Sequence, residues 1–167
     1  MPNSATQALA RFVVELEYER IPESTIRTLK DCILDTIGCG LHGSTTKEGL
    51  LVAKLARDWS EKPESTLWGA GQKTACANAV LANSTMIESF ALDDIHHKAT
   101  LHPGCATIPV AFTLAEALGK VDGKKFLTAV TAGYEAMIRA GMSVVPSARL
   151  RGFHPVSICA PFGSAVT

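Results

Sequence analysis

The chain reads as an all-α protein, a helical bundle with buried, apolar central helices. Three observations predict it. Apolar residues recur at three- and four-residue steps through nearly every segment, the spacing that lines one face of a helix. No run of strict apolar–polar alternation marks a strand. Apolar residues make up 47% of the chain and charged ones only 19%, a balance that excludes disorder and favours burial in a core or against a partner.

Ser4 is placed to cap a first helix over residues 4–19, with Leu9, Phe12, Val13 and Leu16 on one face. Pro22 opens a second, which carries Ile26, Leu29, Ile33, Leu34 and Ile37 and loosens at Gly38 and Gly40. The small residues of TIGCGLHGS let another helix come close, and His42 among them reads as a surface or capping residue. Lys47–Trp59 makes a third helix, with Leu50, Leu51, Leu55 and Trp59 as its apolar side. Residues 62–64 form a turn, 65–68 a short extended segment, and GAGQK a loop. The lone GxG in that loop lacks the strand–GxGxxG–helix setting of a dinucleotide site.

Thr74 caps a helix running to about Phe90 that is apolar around most of its girth, through Ala79, Ala82, Met86 and Ile87 among others. Such a helix belongs in a core. Cys105–Leu118 repeats the pattern, tolerates Pro109 near its first turn and stops at Gly119. After the Asp122-Gly123 turn, Lys124–Val145 buries Phe126, Val130, Tyr134, Met137 and Ile138, while Gly133 and Gly141 offer room for a neighbour. Residues 146–155 form a second polar loop, and SICAPFGSAVT starts a helix with no stop signal. Residues 1–167 are therefore expected to be a single helical domain, a truncated portion of something longer.

Sixteen basic residues balance sixteen acidic ones, so no overall field attracts nucleic acid or an anionic membrane. No stretch reaches the ~20 apolar residues that span a bilayer, and the charges in residues 1–20 exclude a secretory signal. Cys32, Cys39, Cys76, Cys105 and Cys159 form no CxxC pair. They read as buried free thiols of a cytoplasmic protein, or of a mitochondrial matrix one in a eukaryote.

The polar exception is Glu88–Cys105, ESFALDDIHHKATLHPGC, which gathers Asp93, Asp94, His96, His97 and His102 between two apolar helices. As a metal site its spacing is poor: adjacent His96 and His97 point apart, and no HExxH or two-histidine–carboxylate pattern is present. As acid–base machinery it is better. Imidazole titrates near neutral pH, and a neighbouring carboxylate fixes its tautomer. His102 precedes a helix N-terminus, where free N–H groups favour an anion. Arg149, Arg151 and His154 of the second loop can complete a positive pocket for a carboxylate. The bland alternative is a solvated loop in which Asp93 or Asp94 caps a helix and the histidines lie at the surface.

The segments ILDTIGCGLHGS, ANAVLANSTMIESFALDDIH, LHPGCATIPVAFTLAEALG, GYEAMIRAG and GFHPVSICAPFGSAV together resemble the amino-terminal helical part of the MmgE/PrpD family. That family includes 2-methylcitrate dehydratase, cis-aconitate decarboxylase and an iminodisuccinate epimerase. The resemblance implies a helical domain completed by a second, smaller α/β domain and a homodimer without metal or organic cofactor. The substrate implied is a small di- or tricarboxylate, altered by proton movement α to a carboxylate. It carries catalytic roles onto His102 in LHPG, His154 in GFHP and the acid pair Asp93 and Asp94, with Arg149 and Arg151 as candidate substrate anchors. One departure matters. Where the family has HAxDFDD, this chain has SFALDD with its preceding Glu88, so Ala91 stands at a usual acid position. The lysines and second domain of the decarboxylase would also lie beyond Thr167.

Three functions follow. The first is a lyase, dehydratase or decarboxylase, of which these residues alone would be inactive. The second is a non-catalytic truncated helical module that oligomerises, and the third an epimerase of an imino- or amino-dicarboxylate.

Overall fold

The structure, a computed structural model, describes residues 4–59 and 62–167; the start of the stretch read for a secretory signal lies outside them. Helices α1 (Ala5–Val14), α2 (Glu23–Gly43) and α3 (Lys47–Asp58) precede a hairpin of β1 (Ser65–Leu67) and β2 (Gln72–Thr74). Then come α4 (Cys76–Glu88), α5 (Gly104–Leu118), α6 (Gly123–Val144), the short α7 (Ser147–Leu150) and α8 (Pro155–Val166). The fold is mostly α, as the periodicity predicts.

Helix α5 is the axis. Every residue from Gly104 to Ala111 is buried, and α2, α4, α6 and α8 pack around it. Its cluster with Leu29 and Val130 forms one part of the core, and Leu101, Cys105, Met137 and Cys159 form another. Pro109 lies inside the helix and Gly119 closes it in the left-handed region at φ 70°, where a side chain would be strained. α6 starts under Asp122, whose carboxylate accepts from Lys125 N at 2.9 Å. Gly133 of α6 meets Gly163 of α8: a Cβ on either would stand 3.2 Å from the other's carbonyl oxygen. Gly141 instead receives Ala99 and Leu101 of the polar loop. The small residues at the end of α2 also act as expected, since a Cβ on Gly43 would strike the backbone of Met86 in α4.

Four expectations need correction. First, α1 ends at Val14 rather than residue 19 and continues after a break as a 3₁₀ turn, Tyr18–Arg20. None of its residues is buried, so little packing holds it beyond its Ser4–Gln7 capping box. Second, α3 turns its small residues inward. Gly49, Val52, Ala53 and Ala56 are buried, while Leu50, Leu51 and Trp59 are 60%, 69% and 63% exposed and Leu55 is also exposed. Leu34 of α2, expected inside, is exposed as well. Third, the extended segment is a strand paired antiparallel with part of the predicted loop. Gly69 and Gly71 turn it at positive φ, and Asn83 of α4 ties it down through Trp68 N and Thr66 O, each at 3.0 Å. Fourth, Thr74 ends β2 and donates to Ala56 O at 2.7 Å. The Glu64 carboxylate caps α4 in its place, accepting from Cys76 N at 3.0 Å.

Candidate active site

The polar loop between α4 and α5 folds back on itself. His96 and Leu101 make an isolated antiparallel bridge, and His96 Nδ1 accepts from Ala99 N at 3.2 Å. That bond engages one ring nitrogen of His96 within the loop itself, while His97 is exposed. The two adjacent acids go to different places. Asp94 caps α5, taking the Gly104 N–H at 3.0 Å on Oδ1, because Pro103 at the cap has no side-chain acceptor. The Tyr134 hydroxyl of α6 faces the same carboxylate. Burial raises Asp94, countered by Tyr134 and then the Gly104 N–H. Burial also pushes the Tyr134 phenol far up, so it stays protonated beside its acid.

Asp93 points the other way, with no exposed side-chain surface, and its Oδ1 stands 3.1 Å from His102 Nδ1. The same ring nitrogen lies 3.3 Å from the Asp93 carbonyl oxygen. Burial, and next the charge of Glu88, raise Asp93 to about 6, against the lowering influence of His102. This is the carboxylate–imidazole pair that the sequence suggests. Its neighbours are a surprise: donor atoms of Glu88, Asp93 and Cys105 all lie within 4.8 Å of one another. In geometry the trio is a ligand set for a cation. It differs from the histidine-rich set weighed from the sequence, and burial pushes the Cys105 thiol far up, which opposes the thiolate a metal needs.

Beside the trio opens a cleft of about 450 Å³. Glu88 and Cys105 form part of one wall, and Val156 and His154 at the start of α8 part of the other. His154 is exposed and occupies the N-cap position of α8 without a side-chain bond to the helix. His102 does not line this cleft, so the two imidazoles do not share it; Glu88 and Cys105, which do line it, lie within 4.8 Å of the Asp93 carboxylate that faces His102. Arg149, in α7, and Arg151, just after it, are exposed and do not line it either.

Two members of the trio carry no role in the sequence analysis: Glu88 appears there only as the acid preceding SFALDD, and Cys105 as a buried free thiol. One signal was available: Glu88 is the lone charge between Thr74 and Asp93, and a single charge in an apolar helix needs a reason to be there. Ala91 itself is exposed and sits at φ 51°.

Together these features define a helical domain that holds paired carboxyl groups and imidazoles beside an apolar-walled cleft. The profile of the MmgE/PrpD N-terminal domain matches residues 7–167, and the chain belongs to that family. It is 32% identical over 170 residues to human cis-aconitate decarboxylase, covering 99% of this chain and 35% of that protein. To the cis-aconitate decarboxylase-like protein oryM of Aspergillus oryzae it is 30% identical over 158 residues, 90% of this chain and 33% of that protein. Cis-aconitate decarboxylase of Aspergillus terreus is 26% identical over 171 residues, 99% of this chain and 35% of the protein. The chain spans about a third of the length of these curated relatives.

Proposed function

We propose that this chain is the helical catalytic domain of a lyase that acts on a small di- or tricarboxylate, with cis-aconitate the first substrate to try. The observation that carries the reading is the buried Asp93 against His102, 3.1 Å apart, next to a cleft that His154 enters from the other side. Similarity to cis-aconitate decarboxylases supports the substrate class.

The chemistry is proton transfer at the carbon α to a carboxylate, coupled to departure of CO₂ or water. Asp93 fixes the tautomer of His102, and the imidazole moves the proton. His154 and the free N–H groups opening α8 face the substrate's carboxylates and stabilise the enediolate charge that develops. Asp94 holds the end of α5, and with it His102, in place. Arg149 and Arg151 serve as outer anchors that reach a carboxylate when their short helix moves. The domain works as one part of a longer homodimeric protein.

The test is turnover of cis-aconitate, methylcitrate and citrate in deuterated water by the protein carrying this chain, followed by proton NMR. Loss of CO₂, loss of water and deuterium exchange alone separate decarboxylase, dehydratase and epimerase. His102→Gln is expected to lower kcat by about 10²–10⁴ while leaving the fold intact; unchanged turnover refutes the assignment.

A second reading has its own support. Ala91 supplies no acid, and Leu50, Leu51 and Trp59 leave α3 open to water, as suits a non-catalytic module that pairs with another copy. Absence of turnover together with a concentration-dependent dimer favours it.

A further inference from the structure

Thr36 of α2 is fully buried, and it departs from the habit of its kind. Thr85, Thr107, Thr128 and Thr131 each donate to the carbonyl four residues earlier in their own helix, at 2.7–2.9 Å, the usual outlet for a helical hydroxyl. Thr36 Oγ1 makes no such bond and has no partner among the described residues. It faces the start of α5 instead, where a Cβ on Gly104 would stand 2.6 Å from it. From α6 comes Tyr134, whose hydroxyl oxygen would lie 3.0 Å from the same point and is likewise buried without a partner. Closest of all is Asp94 Oδ1, which accepts from Gly104 N at 3.0 Å. Three oxygens, from α2, α6 and the polar loop, thus converge on the bare Cα of Gly104.

Two of the three carry a proton to donate. The third is a carboxyl oxygen that has spent one lone pair on the Gly104 N–H and keeps another. Buried hydroxyls need an acceptor, and Asp94 is the acid that both face. The Cys32 thiol also neighbours Tyr134, but sulfur accepts weakly. Direct contact or a bridging water satisfies the set equally well.

What this anchor controls follows from the course of the chain. Asp94 adjoins Asp93, and Gly104 lies two residues past His102. The contact of Asp93 Oδ1 with His102 Nδ1 at 3.1 Å and that of Asp94 Oδ1 with Gly104 N at 3.0 Å are therefore neighbouring rungs between the same two arms of the loop. Fixing the second rung sets the first.

We propose that Thr36 and Tyr134 are positioning residues, whose hydroxyls pin Asp94 to the start of α5 and so set His102 against Asp93. This rests on the polycarboxylate reading above, in which His102 moves the proton, and adds the groups on α2 and α6 that aim it.

The test uses Thr36→Val and Tyr134→Phe in the whole protein carrying this chain. Each removes a hydroxyl at nearly constant shape, and Thr36→Ser is the conservative variant that keeps it. The readouts are kcat and KM with cis-aconitate, the His102 ring-nitrogen signals by nitrogen-15 NMR, and hydrogen exchange at the Gly104 amide. T36V and Y134F are expected to lower kcat by about 10–100-fold with KM little changed. They should also shift the His102 signals and speed Gly104 exchange by roughly 3–10-fold, while T36S behaves as the wild type. His102 signals unmoved in either variant remove that residue from the proposal, and unmoved in both they overturn it. An unchanged kcat beside shifted signals overturns the positioning role. A T36S protein as slow as T36V does the same, since bulk rather than the hydroxyl would then matter. If the wild type turns over no polycarboxylate, the lyase reading falls, and the His102 and Gly104 signals still decide the anchor. Should one variant fail to fold, as its amide spectrum would reveal, the other carries the readouts.

Discussion

Replacing Asp93 by Asn isolates what the burial of this acid costs the fold. Its side chain has no exposed surface, and burial followed by Glu88 raises its titration from 3.8 to about 6. The native protein thus binds a proton that the unfolded chain gives up. The stability this contributes is fully present below 3.8 and is lost as pH rises through about 6. At ~1.4 kcal/mol per pH unit the difference amounts to at most ~3 kcal/mol above pH 7. Asn keeps the shape, carries no charge and brings an N–H that can donate to Glu88 Oε2, an acceptor now without a donor. Against this stands the loss of the contact with His102. The net expectation is that D93N is more stable than wild type at pH 8 by about 1–3 kcal/mol, or a Tm higher by roughly 2–10 °C. The two proteins should converge near pH 4, where the wild-type acid is protonated in the fold. Urea unfolding followed by far-ultraviolet circular dichroism at a series of pH values measures both. A variant less stable than wild type at pH 8, or a difference that ignores pH, refutes the reasoning. On the proposed function activity should move the opposite way, since D93N would no longer present a carboxylate to His102.

Two further outcomes follow from local geometry. A Cβ on Gly104 would overlap Asp94 Oδ1 and stand 2.6 Å from Thr36 Oγ1 and 3.0 Å from Tyr134 OH. Gly104→Ala should therefore lower stability by about 2–4 kcal/mol through overpacking and a weakened cap, as chemical denaturation would register. Ala91 is exposed at φ 51°, so Ala91→Gly should raise stability by about 0.5–1 kcal/mol, and a loss of Tm would contradict the backbone assignment.

Much of this architecture was legible in the sequence because long apolar periodicities leave little choice. Helices α5 and α6 fall within a residue of where spacing puts them, and the stops at Gly119 and Asp122 hold. What failed was the orientation of α3. Hydrophobicity favours Leu50, Leu51, Leu55 and Trp59, but close approach to α2 and α4 selects by size. A Cβ on Gly49 would hit the Gly43 carbonyl, so the small side of α3 must face inward. The hairpin was beyond pattern reading for another reason: strands of three residues are too short to display alternation. In the site, Asp93, Asp94, His102 and His154 were legible as titratable groups between apolar helices, but their division of labour was not. Which of two adjacent acids caps α5 depends on the turn of the loop, and a local pattern does not encode that. Glu88 and Cys105 come from separate helices and meet only in three dimensions.

The meeting of Gly133 with Gly163 has a consequence for how the cleft can change. The carbonyls of the two glycines face the approach, and Met137, Thr107 and Thr167 fill what space is left around them, so the spot acts as a fulcrum with little slack. A methyl added at Gly163 would press on Met137, Thr107 and the Gly133 carbonyl at 3.0–3.2 Å; a small shift of α8 relieves that load, and the far end of α8 is where the imidazole of His154 stands. The width of the cleft mouth is thereby governed from deep inside the bundle, by two residues that touch neither the opening nor anything bound in it.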